Sequence, residues 1–330
     1  MSGLGTIFKL AVVVKLADQL SSGASAILRK INDVTQATKR MDVALKALKW
    51  GAGLTAGAAA VGGALIKSTI ETGRALGELS SVGVKDLQAI DRAAQSFANE
   101  WAGSTKPQFI SAAYDIKSGI STLSDEGVAD FTRLAALTAK ATKASVGEMT
   151  SLFATGYGIY KEIYAGMSDL QFGEVFSAGI AASVKQFKTT GPKMATAVST
   201  LGAAATKANV PFTEQMAILG MLQGTMRSGE TTGTAYAAFI RDTARAGERL
   251  GLNFLDANNQ LKSMPEVLEV LRGKFGETID ATERLQLQKA FTDESLKVIE
   301  LLYSRTGELT GNIDTLNTAI NQGSDFTAAM

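Results

Sequence analysis

Apolar side chains recur every three or four residues along most of the chain, a spacing that gathers them on one side of an α-helix. Leu87, Ile90, Ala94, Phe97 and Trp101 make one such face, and Val128, Phe131, Leu134 and Ala141 make another. Across residues 211–227, Phe212, Met216, Leu219, Leu222 and Met226 predict an amphipathic helix. Pro211 suits its first turn, where an N–H would have no intrahelical partner. Breaks at Gly103-Ser104, Ser124-Asp125-Glu126, Gly166, Gly191-Pro192 and Gly229 divide these segments. Gly229 is expected to close the helix before it in the left-handed conformation. One place reads as β structure: residues 252–255 and 260–263 flank Asp256-Ala257-Asn258-Asn259, whose short polar side chains mimic turn hydrogen bonds. The pattern predicts an all-α fold, a multi-helix bundle with at most one short β-hairpin near 252–262.

Before this body the pattern changes twice. Residues 1–48 read as an N-terminal helical arm, with Ile27, Ile31, Val34, Met41 and Leu45 in a stripe that needs a partner, either a second copy or the body. Residues 49–75 are an Ala/Gly-rich apolar helix or hinge. Its centre, residues 50–66, holds 17 uncharged residues. As a helix these would extend roughly 26 Å against the ~30 Å of a bilayer core. Trp50 suits an interfacial belt and Lys46, Lys49 and Lys67 can snorkel. Gly53 and Gly57 repeat at the GxxxG spacing that lets helices approach closely in lipid, and Ala59 and Gly63 continue it. Trp50, Gly53, Leu54, Gly57, Val61, Gly63, Leu65 and Ile66 are therefore the candidate membrane-associating residues. The other reading is a buried small-residue helix or hinge, which the short length and five glycines favour.

Composition narrows the chemistry. The chain has 330 residues, 33 basic and 32 acidic, with no long run of one sign, so no basic face for nucleic acid is indicated. It has no cysteine and no histidine, which removes thiolate chemistry, Ser/His/Asp triads and the commonest metal ligand. No catalytic, cofactor-binding or metal-ligating residue is assigned, and no enzyme activity is expected. Residues 57–69 do not make a phosphate loop, because Gly63 and Lys67 are separated by Ala64, Leu65 and Ile66. Ala24-Ser25-Ala26 resembles a signal cleavage site, but Lys9 and Lys15 interrupt the apolar run before it.

Residues 203–305 combine helices and tight turns in a distinctive order. AAATKANVPFTEQMAILGMLQGTMRSGETTGTAYAAF leads into LGLNFLDANNQLKSMPEVLEVL, and then into KAFTDESLKVIELL. This order resembles the core region of phage tail tape measure proteins, with a weaker likeness upstream to about Thr72. The resemblance implies a tape-measure-like helical core over 76–310; residues 311–330 read as the start of a further helical segment or tail, as expected of one segment of a longer protein or of a truncated copy. It implies a structural protein of the virion tail, in the lumen or at the tip, made in the host cytoplasm, that sets tail length and helps initiate tube assembly. Implied partners are further copies of itself in a small, threefold oligomer, tail tube and baseplate or tip proteins, and a tail assembly chaperone. An alternative is a membrane-active ejection module that uses residues 50–66 at the host inner membrane. A weaker one is a peptidoglycan hydrolase, on a faint echo in Gly220-Met221-Leu222-Gln223.

Overall fold

The computed structural model describes residues 70–330. The candidate residues Trp50, Gly53, Leu54, Gly57, Val61, Gly63, Leu65 and Ile66, and the arm before them, lie outside the described residues. The described chain is helical throughout: helix follows helix, without a strand among the described residues. It divides into two compact units, the first ending at Ala129 and the second running from Asp130 to Met330.

In the first unit, α1 (70–81) is followed by α2 (Leu87–Glu100), α3 (Lys106–Gly119) and the first residues of α4 (Asp125–Thr142). Helix α2 buries Leu87, Ile90, Ala94 and Phe97, the face its periodicity predicts, and Trp101 caps its C-terminus half-exposed. Asp86 accepts the Ala89 N–H at the start of α2, and Thr105 with Gln108 forms a reciprocal capping box at the start of α3. The two helices meet through Phe97 and Phe109, whose ring centroids are 5.4 Å apart, and through a 2.8 Å ion pair between Lys106 and Asp91. Asp125 accepts the Lys85 and Asp86 N–H groups at 2.9 and 2.7 Å, which ties the α1–α2 turn to the start of α4.

The second unit contains α5 (Val146–Tyr160), α6 (Asp169–Phe187), α7 (Gly191–Leu201), α8 (Ala204–Lys207), α9 (Phe212–Gln223), α10 (Gly229–Leu250), α11 (Met264–Phe275), α12 (Ala281–Ala290), α13 (Asp293–Leu302), α14 (Thr306–Gln322) and α15 (Ser324–Ala328). Serine and aspartate caps define several of these starts: Ser145 with Glu148, Ser168 with Gln171, Ser263 with Glu266 and Asp280 with Glu283 are capping boxes.

Helix α9 is the axis of this unit. All twelve of its residues are buried, and α6, α7, α10, α13 and α14 pack around it. The expectation of one apolar and one solvated face is therefore corrected: a helix enclosed on every side has no solvent face to keep polar. Aromatic rings connect α9 to its neighbours. Phe212 lies 5.0 Å from Tyr160 and 5.6 Å from Phe176, and Phe176 lies 5.1 Å from Phe153. Gly220 makes room for one more ring, since a Cβ there would fall 1.9 Å from Phe187.

Gly229 does not cap α9. It is the first residue of α10, buried, with Ser228 as the N-cap whose hydroxyl accepts the Thr231 N–H. A Cβ on Gly229 would meet the Lys193 carbonyl at 2.1 Å, and one on Gly233 would meet the Ala197 carbonyl at 2.6 Å, so this glycine pair brings α10 against α7. The sharp turn at 252–263 forms as the sequence predicts in kind, reduced to one antiparallel bridge between Leu255 and Leu261. Asp256 accepts the N–H groups of Asn258 and Gln260, and Asn259 takes φ 59°.

Candidate functional site

Among the described residues no helix is long and apolar enough to cross a membrane, and no group of acidic side chains could hold a metal ion. What distinguishes the second unit is a set of polar side chains enclosed in its core. Three of them, Glu214, Gln215 and Gln223, come from α9 and reach partners 30 or more residues away in sequence. The Gln215 carbonyl accepts the Tyr160 hydroxyl at 3.0 Å, while its amide donates to the Val210 carbonyl at 2.8 Å. Gln223 accepts the Thr189 hydroxyl and donates to the Lys193 carbonyl. A separate chain of hydroxyls, Thr138 to Ser177 at 2.8 Å and Ser177 to Thr327 at 2.9 Å, joins α4, α6 and α15. Buried polar groups satisfied in this way fix which helices meet and in what register.

Two buried carboxylates each hold the start of another helix. Asp242 on α10 accepts the hydroxyls of Thr292 and Ser295, both at 2.6 Å, at the N-terminus of α13. Arg241 and Arg245 stand 3.5 and 3.6 Å from it on the solvent side. Burial raises the Asp242 pKa, but the hydroxyl hydrogen bonds and the Arg241 charge together outweigh burial and hold the carboxyl below its ordinary value. Glu214 on α9 accepts the Met264 N–H at 2.6 Å, at the first residue of α11. It is 4% exposed. Burial pushes its pKa up to about 7, the Met264 hydrogen bond opposes the rise, and the charge of Glu266 adds to it.

A desolvated carboxylate is one requirement of glycoside hydrolysis, but Glu214 is enclosed between helices, where no substrate reaches it. Gly220, Met221, Leu222 and Gln223 lie on the same buried helix, under Phe187. An open depression of about 550 Å³ lies elsewhere, between α5 and α7, lined by small residues such as Gly147, Ser151, Ala195 and Ser199. Its acid, Glu148, is held below its ordinary value by the Ser145 hydroxyl and N–H and so is a poor proton donor near neutrality.

Neither Glu214 nor Asp242 is among the candidate residues that the sequence singles out. Glu214 carried one usable signal, since Thr213, Glu214 and Gln215 interrupt a run that is otherwise apolar through Leu222. Asp242 carried none, because its partners lie 50 and 53 residues on.

Residues 91–292 match the family of phage-related minor tail proteins. Comparison with curated proteins and with solved structures gives no match.

Proposed function

This chain belongs to the phage-related minor tail protein family, and from that premise we propose that it is the tape measure of its tail: it sets tail length and helps start tube assembly. As a tail protein it associates with other tail components. The observation that carries the finer reading is the division of the chain. The family match, residues 91–292, falls among the described helices of both units, and residues 16–48, which the sequence pattern reads as a helical arm, lie outside that match. Compact helical units suit a fixed assembly point at the tip, in contact with tip or baseplate proteins and further copies of the chain. A ruler needs extended helix, because a helix turns residues into distance at about 1.5 Å each. Even one continuous helix of all 330 residues would reach only about 500 Å, so in a long tail this chain would be one segment of the ruler.

Phage deprived of this chain and complemented with the wild-type copy provide the test. Electron micrographs should show tails absent, or tubes of scattered length, without it, and uniform tails on complementation. Uniform tails of normal length in its absence would refute the role.

A further inference from the structure

Two carboxylates from different parts of the second unit meet at one helix end, the N-terminus of α11. Glu266, inside α11, turns back to accept the Ser263 N–H at 2.9 Å and the Ser263 hydroxyl at 2.7 Å. Those two hydrogen bonds hold its pKa below the ordinary value, so it is ionised near neutrality. Glu214 reaches the same end from α9, through the core, to the Met264 N–H at 2.6 Å. The partial positive charge of a helix N-terminus supports an anion, yet two close carboxylates disfavour each other's ionisation. Of the two, Glu266 faces solvent and has two donors. Glu214 is buried, with one backbone donor and, among the described residues, no Lys or Arg acting on it.

We propose that Glu214 is a proton-operated latch: protonated, it holds the Met264 end of α11 against α9, and on losing its proton it lets that end open. The groups facing it favour this division of states. Glu266 on α11 adds negative charge. Tyr236 on α10 is fully enclosed, and burial, together with the charges of Glu214 and Tyr160, pushes its phenol well above the ordinary value, so it stays neutral and compensates no charge. Helices α6, α7, α13 and α14 also pack around α9, and none brings Glu214 a compensating cation. The hinge is at hand, because the segment entering α11 is the single-bridge turn at 252–263, where Asn259 holds positive φ.

A carboxyl that titrates at about 7 when closed and near its ordinary 4.5 when open makes the opening equilibrium rise about tenfold between about pH 6 and about pH 8. Amide hydrogen exchange over residues 264–268 of the full chain, corrected for intrinsic rate, reads that equilibrium. Wild-type protein should show the tenfold rise. Glu214→Gln, which keeps an oxygen for the Met264 N–H, should be flat across the same range. A wild-type profile already flat, or Glu214→Gln keeping the wild-type slope, overturns the latch. If Glu214→Gln does not fold, carboxyl carbon NMR of labelled wild-type protein decides: titration near 7 supports the latch and titration near 4.5 overturns it.

Discussion

Glu214 and Asp242 are both buried acids that hold a helix start, and their surroundings give them opposite pH behaviour. Asp242 has two hydroxyl donors and nearby arginines, so its folded pKa lies below its unfolded one. The stability it contributes is present above the unfolded value and is lost as pH falls through the folded one. Glu214 has one donor and an acidic neighbour, so its folded pKa is raised to about 7. Its contribution is complete below the unfolded value and is lost as pH rises through about 7, by up to ~3 kcal/mol for a shift of this size. Urea unfolding across the pH range should therefore show Glu214→Gln losing the decline on the alkaline side. Asp242→Asn should lose the decline on the acid side and cost about 2 kcal/mol near neutrality, because Thr292 and Ser295 lose a charged acceptor. An unchanged alkaline slope in Glu214→Gln would contradict the assignment for Glu214.

Between elements, the closest packing is backbone against backbone at α7 and α10. Gly233→Ala would drive a methyl into the Ala197 carbonyl at 2.6 Å, which no rotamer relieves. It should cost about 1–3 kcal/mol or more in thermal or urea unfolding. Gly158→Ala, exposed in the last turn of α5 with nothing within 4 Å of its Cβ, should instead stabilise by about 0.5–1 kcal/mol. Equal effects would mean that the two helices are not in the contact described. This contrast also marks what the sequence could reveal. Leu87, Ile90, Ala94 and Phe97 announced α2 because one side of that helix meets solvent. Asp256 and Asn258-Asn259 announced their turn because its hydrogen bonds are local. Helix α9 was read with a solvated side because Glu214, Gln215 and Gln223 are polar, and the groups that satisfy them come from other helices. Gly229 was read as an ending because a glycine after a helix commonly is one, whereas here it begins the next helix at a close contact. Of the candidate site, the membrane-associating residues around Gly53 and Gly57 were named from local spacing alone and lie outside the described residues.

For the whole molecule, the proposed function assigns nucleation to the packed helical units and measurement to residues 16–48, which the sequence pattern reads as a helical arm. Met216 is completely buried on α9, and Met216→Asp places an unpaired charge at the centre of the second unit, at a cost above about 4 kcal/mol. Phage carrying it should make no tails, with normal capsids in the same lysate. Changes within residues 16–48 should behave otherwise on the proposed reading, in which an extended helix there adds length without adding to the core. The most direct measurement is tail length, averaged over many particles in electron micrographs, for in-phase deletions of increasing size within residues 16–48. Tails should be intact and shorten in proportion, by about 1.5 Å per deleted residue. Tails of unchanged length across the series would contradict the proposed function.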